Sequence, residues 1–381
     1  MRLFQASNQP SILKRFLQMK SLSVCISMLC VVQIAQANAY WDEFGELPVS
    51  IQQVSNGNVQ VLEFQRFEDS MLVAELPGGV GMISLPVNEN LVRNLRLELK
   101  SLSKVPSLLD SENYTGALEL LRPAVYPLIK FHPVPASFVQ IHTPVYSLLE
   151  TLYLAEEYEE LEFLLGKIKL DQTTPRYSMF ALTLMNARIQ RGEYVEAANL
   201  AKMIPVEGKY SSNIKPLIDA SDGLRAAGMY EAVIPIYRSI ENTVPDGLKE
   251  SIRMWLAYSL ALNGQVNESA ELFERISEPA PKDRLFSLYK LLQGSSYYRE
   301  NNYSEALDLL TRGFVRAQAS YSWVPEMLFL IGDCYLKSSD PVAARNVWTE
   351  VVTLYPQSPW ASRAEAMIES ISPNEISSNE Q

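Results

Sequence analysis

The sequence predicts a mainly α protein: an α-solenoid of about seven helix pairs behind a small N-terminal β-meander. Two observations carry this. Tyr114, Tyr158, Tyr194, Tyr230, Val266, Tyr303 and Pro341 each follow a polar turn and precede a small or apolar residue three places on, at spacings of 44, 36, 36, 36, 37 and 38 residues. Self-similarity at such a period is the signature of stacked helical repeats. The apolar period also changes near Asn88, from strand-like alternation to residues three and four apart.

In chain order, residues 1–39 come first. Lys20 is followed by an uncharged, largely apolar run over 21–34, which ends in Ala37-Asn38-Ala39, a small-x-small cleavage pattern. This predicts a secretory signal peptide cut after Ala39, leaving a chain that starts Tyr40-Trp41-Asp42. Met19 as well as Met1 would serve as its start. The run is short for a spanning helix, which needs ~20 apolar residues, so no stable membrane insertion is expected after cleavage. Val24 and Leu29, before Cys25 and Cys30, do not fit a lipoprotein signal. The mature chain keeps only Cys334, within an apolar helical stretch over 328–335, and so has no internal disulfide. Buried packing is the expectation for that thiol. Together these features point to the periplasm of a Gram-negative bacterium.

Residues 40–87 are expected to form the β-rich head. Strand-length apolar runs over 58–65, 71–76 and 80–85 are separated by turns at Phe67-Glu68-Asp69-Ser70 and Pro77-Gly78-Gly79. No Lys-Ser or Lys-Thr follows the glycines and no helix opens there, so the run is a hairpin turn rather than a phosphate loop. Residues 88–175 are predicted to be irregular helical repeats, with Asn88 capping the first helix and Pro106 and Pro144 breaking the pattern. Residues 176–371 are predicted to be regular repeats, and the polar stretch 372–381 to be disordered.

The clearest unit spans 327–356. Gly332 and Tyr335 fall on one helix, Ala344 and Trp348 on the next, and Pro356 closes it, at offsets of 12, 16 and 24 from Gly332 to Ala344, Trp348 and Pro356. Preceding units carry Gly294, Tyr297, Ala306 and Leu310; Ala257, Ser269, Phe273 and Pro281; Val233, Tyr237 and Pro245; and, more weakly, Ala197. This pattern resembles the tetratricopeptide repeat, in which small residues let two antiparallel helices approach and a large aromatic fills the adjoining gap. The last two units look like the repeats of cell-envelope coordinator and outer-membrane assembly proteins. The resemblance implies a superhelix whose first helices line a concave groove. By register it offers Asp222, Arg225, Met254, Tyr258, Tyr298, Arg299, Asp333 and Lys337 as partner-binding residues.

Chemistry is sparse. The only histidines, His132 and His142, make no metal site of recognised spacing with Cys334, and no nucleophile elbow, zinc-protease motif or phosphate loop occurs. Glu156, Glu157, Glu159 and Glu160 are expected to form a solvated face. No catalytic residue, cofactor or metal is predicted. The formal charge is −11, or −15 without residues 1–39, which argues against a nucleic-acid partner. The leading expectation is a periplasmic scaffold or adaptor for a protein or peptide in envelope biogenesis or an envelope-spanning machine. The alternatives are an enzyme using His132 or His142 beside the head, and a structural spacer docked through residues 40–85.

Overall fold

The computed structural model describes residues 35–371 apart from 56–57, 98, 100 and 101. Most of the expected signal peptide, and the expected disordered stretch 372–381, lie outside the described residues. The chain divides into two compact units, Met1–Leu184 and Met185–Gln381. The boundary expected after residue 175 falls at the start of helix α7 (Pro175–Gln190), and the two units divide within that helix.

In the N-terminal unit, residues 35–40 form a helical turn (α1) that runs into a π-helical turn at Trp41–Gly45. An antiparallel sheet follows, built of β1 (Val49–Ser55), β2 (Asn58–Glu68), β3 (Met71–Glu75), β4 (Met82–Pro86) and β5 (Leu95–Leu97) in the order β4-β3-β2-β1-β5. The sequence predicted three strands. It missed β1, whose apolar residues alternate with Ser and Gln, and β5. Asn88 does cap α2 (Glu89–Asn94), accepting from the Leu91 amide at 2.9 Å. That helix stops at Asn94, and Leu95, Arg96 and Leu97 pair with Gln53, Gln52 and Ile51. The head therefore extends past residue 87, because pairing with an open strand edge outweighs a short helical period. The turn expected over Phe67–Ser70 tightens to Asp69-Ser70, both at positive φ, while Phe67 stays in β2 opposite Leu72. Gly78 and Gly79 sit at φ +79° and +71° in the β3–β4 turn, a backbone that L side chains resist.

One face of the sheet is buried, including Val49, Ile51, Leu62, Phe64, Leu72, Ala74, Leu85 and Leu95. Phe64 lies 5.8 Å from Phe131 in the 3-10 segment Tyr126–Phe131. Gln140 acts as a further partner for β5: its amide oxygen accepts from the Leu97 N–H and its amide nitrogen donates to the Leu95 carbonyl.

Helices α3 (Val105–Asp110), α4 (Tyr114–Val125), α5 (Val139–Leu154) and α6 (Tyr158–Lys167) follow, before α7. The C-terminal unit contains α8 (Tyr194–Met203), α9 (Ile214–Ala226), α10 (Tyr230–Glu241), α11 (Asp246–Leu262), α12 (Val266–Glu274), α13 (Leu285–Arg299), α14 (Tyr303–Phe314), α15 (Val324–Lys337), α16 (Pro341–Leu354) and α17 (Pro359–Ser370).

The periodic residues of the sequence have one structural meaning. Each is the first residue of the second helix of a pair. Two places before it, Glu112, Glu156, Gly192, Gly228, Gly264, Asn301 and Ser339 all adopt positive φ. The next amide then reaches back five residues, as in Asn113 to Leu108, Glu193 to Arg188 and Asp340 to Tyr335. This left-handed cap satisfies carbonyls that the ending helix leaves free and reverses the chain into the next helix.

The small residues permit close helix approach. A Cβ on Gly332 would lie 2.5 Å from the Trp348 indole nitrogen, and one on Gly294 2.6 Å from Leu310. Trp348 is fully buried and donates to the Phe329 carbonyl. Ala197, Tyr237, Ala257, Ala306 and Ala344 are buried too, and Phe273 and Tyr335 partly so. Two predicted packing residues differ: Tyr297 is 40% exposed and Pro356 lies at the surface. In the unit of Tyr297 the room beside Gly294 is taken by Leu310. Cys334 is buried, which pushes its thiol up to about 12.

Candidate functional site: the interior of the C-terminal repeats

The residues assigned to a groove by register fall on α9, α11, α13 and α15. They do not line open space together. Arg225, Met254 and Tyr258 are 1%, 0% and 4% exposed. The cause is that the first pair of helices in this set returns onto the last. Ala226 at the end of α9 shares an apolar core with Phe329, Trp348 and Trp360, and Arg363 on α17 donates to the Ala226 carbonyl at 3.0 Å. As placed, Arg225, Met254 and Tyr258 are closed to a partner, which corrects the open-groove expectation for them.

Arg225 is the hub of this interior. Nη1 donates to Asp222 at 2.8 Å and to the Tyr237 hydroxyl, and Nη2 donates to Glu326 at 3.3 Å. Tyr258 donates to the other Glu326 oxygen at 2.7 Å, and the guanidinium lies 3.5 Å over the Trp255 ring. Burial opposes charge on Arg225, but Tyr237, Asp222 and Glu326 more than offset it and hold its pKa well above the ordinary value. Burial raises Glu326 despite Arg225 and the Tyr258 hydroxyl, and burial likewise raises Asp222. Arg is suited to this place because its planar fork meets several acceptors at once. Its Nε remains buried without a hydrogen bond.

The remaining groove residues are more open. Tyr298 donates to Asp333 at 2.6 Å across α13 and α15, and both are half-buried. Burial first, then the Asp333 carboxylate, pushes the Tyr298 phenol up. Arg299 and Lys337 are exposed, and Asp222 is half-buried beside a cavity of about 360 Å³ that Tyr321, Pro325, Tyr355 and Trp360 also line.

The two histidines are structural as placed. The Lys169 amide donates to His132 Nε2 at 2.9 Å, which leaves Nδ1–H to donate to the Ile129 carbonyl at 2.8 Å. His142 Nε2 faces the Val134 and Pro135 carbonyls, and its Nδ1 lies 2.9 Å from the Tyr177 hydroxyl. Burial lowers the pKa of both rings, so each stays neutral and engaged on both nitrogens. These are the two residues that the enzyme alternative invoked. Glu160 also departs from expectation. It is buried, not solvated, and takes a bidentate pair from Arg122 at 3.0 and 2.7 Å and a hydroxyl from Tyr126 at 2.6 Å. Among the described residues no group of three or more His, Cys, Asp or Glu could hold a metal ion. Among them no helix is long and apolar enough to cross a membrane.

Sequence reasoning missed Glu326 and Trp255, which complete the Arg225 network. A buried acid in the first turn of α15 looks like an ordinary helix-start carboxylate. Its partners, Arg225 on α9 and Tyr258 on α11, reach it only through the tertiary fold.

Residues 291–359 match the family model of the tetratricopeptide repeat. No curated protein matches the chain. Among solved structures, it is similar to the crystal structure of BtubC (BKLC) from P. vanneervenii, at 14% identity, covering 71% of this chain and 95% of that one, with a TM-score of 0.25.

Proposed function

We propose that this chain, which carries tetratricopeptide repeats, is an exported adaptor that holds a protein partner in the cell envelope. The observation that carries the reading is the repeat array itself. Such repeats are protein-interaction modules, and stacked helix pairs offer extended surface rather than a reaction cleft. Export is supported by the signal-like pattern of residues 1–39. Cleavage after Ala39 would leave the next aromatic residues anchored: Tyr40, Trp41 and Phe44 lie 6.4, 6.3 and 6.5 Å from Tyr126, ring to ring, and Arg122 lies 4.4 Å over Tyr40.

Arg225, Met254 and Tyr258 are buried in this conformation. Arg299 and Lys337 remain available on the C-terminal repeats, with Asp222, Tyr298 and Asp333 partly so. Two measurements test the reading. A fusion of residues 1–60 to alkaline phosphatase is active only if the segment directs export; an inactive fusion removes the periplasmic assignment. The tagged chain should retain a defined protein from periplasmic extract at physiological salt, and retention of none removes the adaptor.

A further inference from the structure

We infer that the slot between α12 and α13 docks a short amphipathic helix of the partner, one with an apolar face flanked by Lys or Arg. This rests on the adaptor reading and adds to it the place and chemistry of contact.

The repeats themselves show what the slot lacks. The second helix of one pair packs on the first helix of the next where α10 meets α11, α14 meets α15 and α16 meets α17. At the equivalent steps neither α8 with α9 nor α12 with α13 forms a comparable interface. The sequence explains this. α12 is nine residues long and buries only Ser269, whereas α10 buries Ala232, Val233, Ile234, Ile236, Tyr237 and Ile240. Pro279 and Pro281 then carry the chain onward without a helix before α13 begins at Leu285. Phe273 stacks on Tyr289 at 4.9 Å, and beside it a cavity of about 360 Å³ remains. Ala261, Leu262, Val266, Ala270, Phe273 and Tyr297 supply its apolar wall. Val266 is 52% exposed, and Tyr297 is open to solvent. The volume lies in the range of about 300–1,000 Å³ found for ligand sites.

The walls decide the form of the occupant. Backbone groups of α11, α12 and α13 are used within their own helices, so an extended peptide would bury amides without partners. A helix satisfies its own backbone and brings only side chains, as in helix-in-groove recognition. Charge decides the rim. Glu300 and Arg299 line the slot, and Glu271 and Glu274 are exposed along α12 against Arg275 just after it, on a chain of net charge −11. Flanking Lys or Arg complements that rim and favours encounter.

The test uses the full chain and a fluorescein-labelled synthetic peptide, with Leu at helix positions i, i+4 and i+7 and Lys between them. Companion peptides carry Glu for Lys, or one central Pro. Ala270→Arg and Val266→Arg place a bulky charge in the slot from exposed positions on α12, and circular dichroism checks that the helical fold is kept. The Lys peptide should bind in a fluorescence-polarisation titration. Each Arg variant, and the Glu peptide, should weaken binding at least about tenfold, as loss of a central anchor does, and the Pro peptide should not bind. Equal binding by the Arg variants, equal binding of the Glu or Pro peptides, or no binding of the Lys peptide overturns the proposal. So does lauric acid filling the slot while the peptide does not. A native partner retained equally by wild type and Ala270→Arg would remove the slot but leave the adaptor standing. A partner retained by neither would remove the adaptor.

Discussion

Helices α12 and α16 hold equivalent places in their repeats, yet one is a wall and the other a plug. α16 buries Pro341, Ala344, Trp348 and Val351, and its Trp348 fills the space that Gly332 leaves on α15. α12 buries Ser269 alone, whose hydroxyl donates to the Ala257 carbonyl. The difference teaches that a repeated turn enforces helix reversal at every step but not equal packing. Packing depends on the volume of a few side chains, and where that volume is small the array opens.

The comparison breaks most sharply at Trp348. Trp348→Ala should cost about 3–5 kcal/mol, because it removes a large buried ring from a close-packed site. A urea-midpoint shift checks it, and little change would mean that α16 is no better anchored than α12. Glu326→Ala should cost less, about 1–3 kcal/mol, by leaving Arg225 Nη2 and the Tyr258 hydroxyl buried without their acceptor while Asp222 still pairs with Arg225. The paired Arg225→Met and Glu326→Leu variant should recover part of this loss, since well-packed apolar replacements of buried ion pairs are often neutral, although Asp222 loses its partner with Arg225. If the pair stays as weak as the single variant, closure of α15 on α9 depends on the charges themselves.

Gly332→Ala comes next, at about 1–3 kcal/mol, because the new methyl meets the Trp348 indole. The pH response of the N-terminal unit is smaller. His132 and His142 are held below their ordinary pKa by burial foremost, so the unfolded chain takes up protons near 6.5 while the native rings stay neutral. Stability is therefore held above pH 6.5 and lost as pH falls below it, by at most about 1.4 kcal/mol per pH unit for each ring. Hydrogen exchange across residues 139–154 at pH 7.5 and 5.5 measures it, and unchanged protection would count against neutral buried rings. The smallest effect belongs to α12: Val266→Ala should stay within about 0.5 kcal/mol, as exposed substitutions do. A larger loss in the urea midpoint would mean that the slot wall is part of the core.

Legibility in the sequence followed the locality of each feature. The pair boundaries were readable because each needs a polar turn and a left-handed residue within a few positions of the next helix start. Gly332 against Trp348 was readable because both lie in one pair. β5 was not, since Leu95 and Leu97 suit either a helix or a strand, and β1 as a neighbour chose the strand. The fate of Arg225 was also hidden. Its register suggested a groove, but besides nearby Asp222 it has a second carboxylate partner, Glu326, 101 residues away on α15. Glu160 resembled Glu156, Glu157 and Glu159 in sequence until Arg122 and Tyr126, on the preceding elements, claimed it.

By itself the sequence determined a helical-repeat chain with a β-rich start, seven reversals and the small-to-large pairs of its last units. These follow from backbone preference and side-chain volume over short distances. Tertiary structure alone decided that the sheet takes two more strands, that Arg225 and Tyr258 are sealed inside, and that α12 packs sparsely on α13. Each depends on which distant surfaces meet, and burial free energy summed over a whole interface outweighs the local signal of any one residue.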